Sequence, residues 1–85
     1  MQDTNNREEI LAFMVKKLIR TSEEMPLERN IVIWNGEGEE KEILIQKVWL
    51  DDGDDNLIVF LSSEGVRFYP EDLTIKSLSL ISQSI

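Results

Sequence analysis

The sequence predicts an α+β domain in which an N-terminal helix is followed by a four-stranded antiparallel meander and a C-terminal helix. Apolar residues recur at helical spacing near the N-terminus, and four short runs rich in β-branched and aromatic residues follow. The linkers between those runs are too short for a parallel crossover. At 85 residues the chain has room for one hydrophobic core, so we expect residues 1–85 to form a single domain.

The first helix is predicted at about residues 7–21. Asn6 and Glu9 have the spacing of a capping box, in which two side chains satisfy the free amides of the first turn. Pro26 prevents the helix from continuing, because it lacks a backbone donor. The core-facing side then comprises Ile10, Leu11, Met14, Val15, Leu18 and Ile19. Residues 1–6 are expected to be disordered.

Four strands are predicted, at residues 31–34, 43–50, 57–61 and 66–69. Strict alternation assigns the apolar residues of the second strand to both faces of the sheet, with Ile43 and Ile45 on one face and Leu44, Val48 and Leu50 on the other. In a sheet with one solvent-exposed face, apolar and polar residues would alternate more regularly along each strand. Since one helix covers one face, the C-terminal segment is expected on the other face or at an edge.

The C-terminal segment is predicted to be a helix that Thr74 opens. On a helical wheel Ile75, Leu78, Ile81 and Ile85 share one side, and Leu80 lies off it. The alternative is a fifth strand with a bulge. That alternative would give a helix plus a five-stranded SH3/Sm-like barrel.

The Sm-like alternative has a short sequence counterpart. Asp55 and Asn56 resemble the aspartate and asparagine of the first Sm motif. The second Sm motif, with its Arg-Gly pair, is missing, so no family is assigned.

Composition narrows the possible functions. The chain contains no cysteine and no histidine, which removes disulfides, thiol nucleophiles, imidazole metal ligands and the usual acid/base group near neutral pH. We therefore expect no enzyme activity, no cofactor and no metal site. The N-terminus is polar and Lys16 and Lys17 interrupt the first apolar run, so neither a signal peptide nor a membrane span is expected. The cytoplasm is the expected location.

The negative charge is concentrated in one part of the chain. The formal net charge is -8, and residues 37–55 hold eight acids against two bases. A protein that binds nucleic acid directly needs a basic surface, so that function is not expected. The acidic stretch leaves open an alternative function, in which the chain mimics nucleic acid and binds a basic partner protein.

The turn at Asp51–Asp55 could in principle bind a cation through carboxylates. The EF-hand template fails there, because Leu57 stands where glycine is required and Ser63 where a glutamate should be. We interpret the turn as solvated. A small carboxylate-dependent hydrolase is a third and lower option, because it would need an acid buried in a pocket.

Phe13 is the strongest candidate for a contact residue. On the helical wheel it lies among Glu9, Lys16, Lys17 and Arg20, away from the apolar side. An exposed aromatic ring beside a sheet with two apolar faces indicates an intermolecular contact. We predict a non-enzymatic protein–protein interaction module that self-associates as a homodimer through Phe13, Lys16, Lys17 and Arg20. Other aromatic residues are assigned to core packing: Trp34, Trp49, Phe60, Phe68 and Tyr69.

Overall fold

The computed structural model describes residues 3–21, 24–34, 38–51 and 57–85. Its elements in chain order are α1 (Asp3–Thr21), β1 (Met25–Trp34), β2 (Glu40–Asp51), β3 (Leu57–Ser62), β4 (Arg67–Phe68), a 3₁₀ turn (Pro70–Asp72) and α2 (Ile75–Ser84). The strands pair antiparallel in the order β1-β2-β3-β4. The predicted order of helix, meander and helix is therefore confirmed. The five-stranded barrel is not confirmed, since residues 75–84 are helical.

Helix α1 begins at Asp3, four residues before its predicted start. Asn6 thus lies inside the helix, and residues 3–6, expected to be disordered, are helical. Met1 and Gln2 lie outside the described residues. The early start has a physical reason, since the residues from Asp3 to Asn6 are all good N-terminal residues and no single one marks the boundary.

Strand β1 begins six residues earlier than predicted and includes Pro26. Proline is tolerated because β1 is an edge strand, where one side of the backbone needs no sheet partner. The register shifts between Pro26 and Arg29, and Glu28 has a φ of 54°. A positive φ at a residue other than glycine is uncommon and is typical of a bulge. The other strand ends lie within three residues of their predicted positions.

Strand β2 contains a second bulge, at Gln46. Ile45 pairs with Ser62 of β3, and Lys47 pairs with Leu61, so two steps along β2 match one step along β3. The extra residue changes the alternation of side chains beyond it, because side chains in a regular strand point to opposite faces in turn.

The bulge at Gln46 corrects the predicted faces of β2. Ile45 and Val48 are fully buried in the same core cluster, and Ile43 and Leu50 pack against it. The prediction that Val48 and Leu50 share a face with Leu44 is therefore wrong. Strict alternation holds only in an unbroken strand, and the sequence carries no direct signal of the bulge.

Both helices pack on the face of the sheet to which Ile45 and Val48 point. One cluster joins buried side chains of α1, α2, the strands and Leu73, namely Met14, Leu18, Ile31, Ile33, Ile45, Val48, Ile58, Phe60, Leu73, Leu78 and Ile81. The predicted apolar sides of the helices are confirmed except at Ile19, which is 58% exposed, and at Ile75, which lies outside the core cluster. Ile19 lies at the margin of the apolar arc, near the end of α1. Burial of this apolar surface is the main stabilising contribution to the fold.

Helix α2 begins against the outer edge of β1. Thr74 caps the helix, as predicted, by accepting a hydrogen bond from the Ser77 amide at 3.2 Å. The Thr74 amide donates to the Val32 carbonyl at 3.3 Å, and the Val32 amide donates to Ser77 Oγ at 2.8 Å. Leu73 forms a β-bridge with Ile33. Of the two expected positions for the C-terminal helix, the structure has the edge, where it protects polar backbone groups that would otherwise be open to another strand.

Arg7 attaches the start of α1 to the same region. Its guanidinium donates to the Pro70 carbonyl at 2.6 Å and to the Leu73 carbonyl at 3.1 Å. These contacts join residues more than 60 positions apart in sequence. Hydrogen bonds from a charged donor are stronger than neutral ones, so Arg7 helps to fix α1 relative to the edge of β1.

The contact between Ser77 and β1 can be tested by substitution. Ser77→Ala leaves the Val32 amide without its acceptor and should lower the free energy of unfolding by about 1–3 kcal/mol. Ser84→Ala is the matched control, because the Ser84 hydroxyl donates only to the Leu80 carbonyl of the same helix in the described residues. Both changes alter helix propensity equally, so their difference, measured by urea denaturation, reports the β1 contact. Equal effects would contradict this role of Ser77.

Candidate functional site

The predicted contact residues form a continuous patch on α1. Phe13 is 47% exposed, and Lys17 Nζ lies 5.1 Å from the centroid of its ring. This is a cation–π contact between neighbours four residues apart on a helix. Phe13, Lys16, Lys17 and Arg20 together line a shallow hollow of about 150 Å³. We call these four residues the α1 surface. The exposure of Phe13 is as predicted, and its role in contact stays a prediction.

A second and larger depression lies at one end of the sheet. It has a volume of about 650 Å³. Its more buried apolar side chains are Ile33, Ile43 and Phe68. The first half of β2 pairs with β1, whereas β3 pairs with β2 only from Ile45 onward, so the sheet divides at this end. We call this depression the end groove.

Three exposed apolar side chains surround the end groove. Trp34 is 43% exposed, Leu44 36% and Val66 47%. They are half of the large apolar side chains that the described part of the chain exposes. The assignment of Trp34 to core packing is therefore wrong. Trp34 follows Ile33 on β1, and successive side chains of a strand point to opposite faces, so the burial of Ile33 turns Trp34 outward.

Hydrogen bonds within the β3–β4 turn hold Val66 at the groove. The buried Ser62 hydroxyl accepts from the Val66 amide at 3.1 Å, and the Ser62 carbonyl accepts from the Gly65 amide at 3.0 Å. Gly65 has a φ of 85°, which glycine adopts without steric cost. The Ser63 amide donates to the Leu44 carbonyl at 3.0 Å, which attaches the turn to β2. The apolar rim is thus positioned by backbone contacts.

The charged lining of the groove is mixed in sign. It contains three acids and two bases, namely Glu42, Glu64, Asp72, Lys41 and Arg67. The guanidinium of Arg67 lies 5.7 Å from the ring of Trp49, and the Asp72 carboxylate accepts from the Tyr69 amide at 3.0 Å. Glu42 and Glu64 are exposed. The net charge of the lining is therefore -1, with two acids directed toward solvent.

The lining offers no arrangement typical of catalysis. None of its three acids is buried, whereas a carboxyl that acts as a general acid near neutral pH needs a desolvated position. Among the described residues, no group of three or more acids is placed to hold a metal ion. In the turn considered for cation binding, only Asp51 is described, and residues 52–55 lie outside the described part. Cation binding there stays an open prediction.

Comparisons with known proteins give no relative from which a function could be transferred. No family description, no curated protein and no solved structure matches the chain. Within the described residues, no helix is both long enough and apolar enough to cross a membrane. The candidate function therefore depends on the geometry of the α1 surface and the end groove.

The sequence predicts the α1 surface but not the end groove. The groove combines the end of β1, the start of β2 and the β3–β4 turn, which are separate in sequence. One local signal was present, because Val66 directly follows the turn residues Glu64 and Gly65 and is an apolar residue without an assigned place in the core.

The position of Trp34 at the groove can be tested by fluorescence quenching. The variant Trp49→Phe retains Trp34, and the variant Trp34→Phe retains the half-buried Trp49 beneath Arg67. In dilute solution, acrylamide should quench the fluorescence of Trp34 more strongly than that of Trp49, since collisional quenching requires access to the ring. A larger quenching constant for Trp49 would contradict the placement of both side chains.

Proposed function

We propose that the protein is a non-enzymatic protein–protein interaction module that associates with copies of itself. The supporting observation is the convergence of Trp34, Leu44 and Val66, all exposed, on one groove. Exposed apolar side chains gathered around one depression are typical of an interaction site. The absence of histidine and cysteine from the chain favours binding over catalysis.

Self-association is supported by the size of the domain. A chain of 85 residues buries a smaller share of its surface on folding than a larger domain does, so its stability margin is narrow. Association covers further apolar surface and stabilises the folded state by mass action. A homodimer in the cytoplasm is the form that we propose.

The alternative function is mimicry of nucleic acid toward a basic partner protein. Its support is the acidic stretch at residues 37–55, in which Glu40 and Glu42 are exposed. That function requires binding that weakens steeply as salt is added, because charge pairs would supply the affinity. An apolar contact through Phe13 or the end groove would depend much less on salt.

The proposed association can be measured by light scattering from micromolar to millimolar concentration. The mass of the wild-type protein should rise above that of one chain, and Phe13→Asp should remain at the mass of one chain, because a carboxylate replaces the exposed ring. Leu80→Asp is the matched control, since Leu80 is an exposed apolar residue on α2 and lies outside both surfaces. It should associate as the wild type does. A wild-type protein that stays monomeric throughout would refute the proposal.

A further inference from the structure

We infer that the α1 surface of one copy docks in the end groove of a second copy, with Phe13 entering between Trp34, Leu44 and Val66. This inference rests on the proposed self-association and identifies the two surfaces that meet. The occupant is a second copy of the chain, since a basic surface with one exposed aromatic ring suits a groove with apolar side chains and a net negative lining.

The polarity of the two surfaces supports this contact. The α1 surface presents one exposed aromatic ring, which Lys17 contacts at 5.1 Å. The end groove is a concave site with an apolar interior that includes Phe68. Its volume of about 650 Å³ lies within the range of pockets that enclose apolar groups. Aromatic side chains also contact one another favourably in edge-to-face or offset geometry, so the ring of Phe68 suits an entering phenyl group.

The charges of the two surfaces differ in sign. Three bases accompany Phe13 in the lining of its hollow. The lining of the groove has three acids, Glu42, Glu64 and Asp72, against two bases, Lys41 and Arg67. Docking therefore brings a basic surface to a lining of net charge -1, an arrangement that favours one orientation and one partner.

Symmetric pairing of like surfaces is less favourable than this contact. Two α1 surfaces in direct contact would place three bases against three bases, and like charges in contact repel. Two end grooves would face each other as concavities, so their apolar linings would make little contact. The favoured contact joins two different surfaces, so either two copies exchange contacts reciprocally or further copies add in sequence.

A contact between different surfaces can be tested by mixing variants that each lack one surface. Phe13→Asp disables the α1 surface and retains the groove. Val66→Asp places a charge in the groove and retains the α1 surface, and Leu44→Asp does so at a second position. Circular dichroism and cooperative thermal unfolding verify that each variant is folded. Each variant alone should scatter light as a single chain.

An equimolar mixture of Phe13→Asp and Val66→Asp should restore association. One intact α1 surface and one intact groove remain in the mixture, so a species of twice the chain mass is expected. If copies add in sequence, its dissociation constant should lie within a few-fold of the wild-type value. If two copies exchange contacts reciprocally, the mixed pair should bind more weakly than the wild type, because it keeps one of the two contacts. The control mixture of Val66→Asp with Leu44→Asp lacks an intact groove and should stay monomeric.

Three results would overturn the docking. The first is that the mixture of Phe13→Asp and Val66→Asp stays monomeric although the wild type associates. The second is that Val66→Asp or Leu44→Asp associates alone. The third is that the control mixture associates. In each case self-association itself would stand and only the assignment of surfaces would fail. A wild-type chain that does not associate at all would instead refute the proposed function.

Discussion

The bulge at Gln46 determines which side chains of β2 enter the core. It inserts one residue between Ile45 and Lys47, so the apolar residues on either side of it point to the same face. Val48 thereby joins Ile45 in one cluster with both helices. Without the bulge, strict alternation of the same residues would turn Val48 to the opposite face and Lys47 inward. The single core of this small domain depends on that local irregularity.

The surfaces proposed for binding follow from the same arrangement. Because both helices pack on one face and α2 begins at the edge of β1, neither covers the end of the sheet where Trp34 and Leu44 are exposed. The β3–β4 turn then brings Val66 to this end. The fold thus places an apolar concavity on one part of the molecule and the ring of Phe13 on another. The α1 surface and the end groove are both incompletely buried, so each can contact the other surface on a second copy.

Local signals predicted the helices well, whereas contacts between distant residues limited the prediction of the sheet. Thr74 and the spacing of Leu78 and Ile81 are sufficient to indicate α2, because a cap and a helical period lie within a few residues. The bulge at Gln46 depends on pairing with β3, so no short segment contains it. Pro26 similarly suggests a stop, and only its place in an edge strand explains why β1 continues through it.

The single core depends on the bulge at Gln46, because the bulge turns Val48 to the same face as Ile45 although the two residues are three positions apart. The substitutions Val48→Asp and Leu44→Asp test this directly by thermal unfolding, since strict alternation would place both residues on one face. Val48→Asp should abolish the cooperative transition, because it places a charge in the core. Leu44→Asp, at an exposed position, should unfold close to the wild type. Equal effects of the two substitutions would contradict this account.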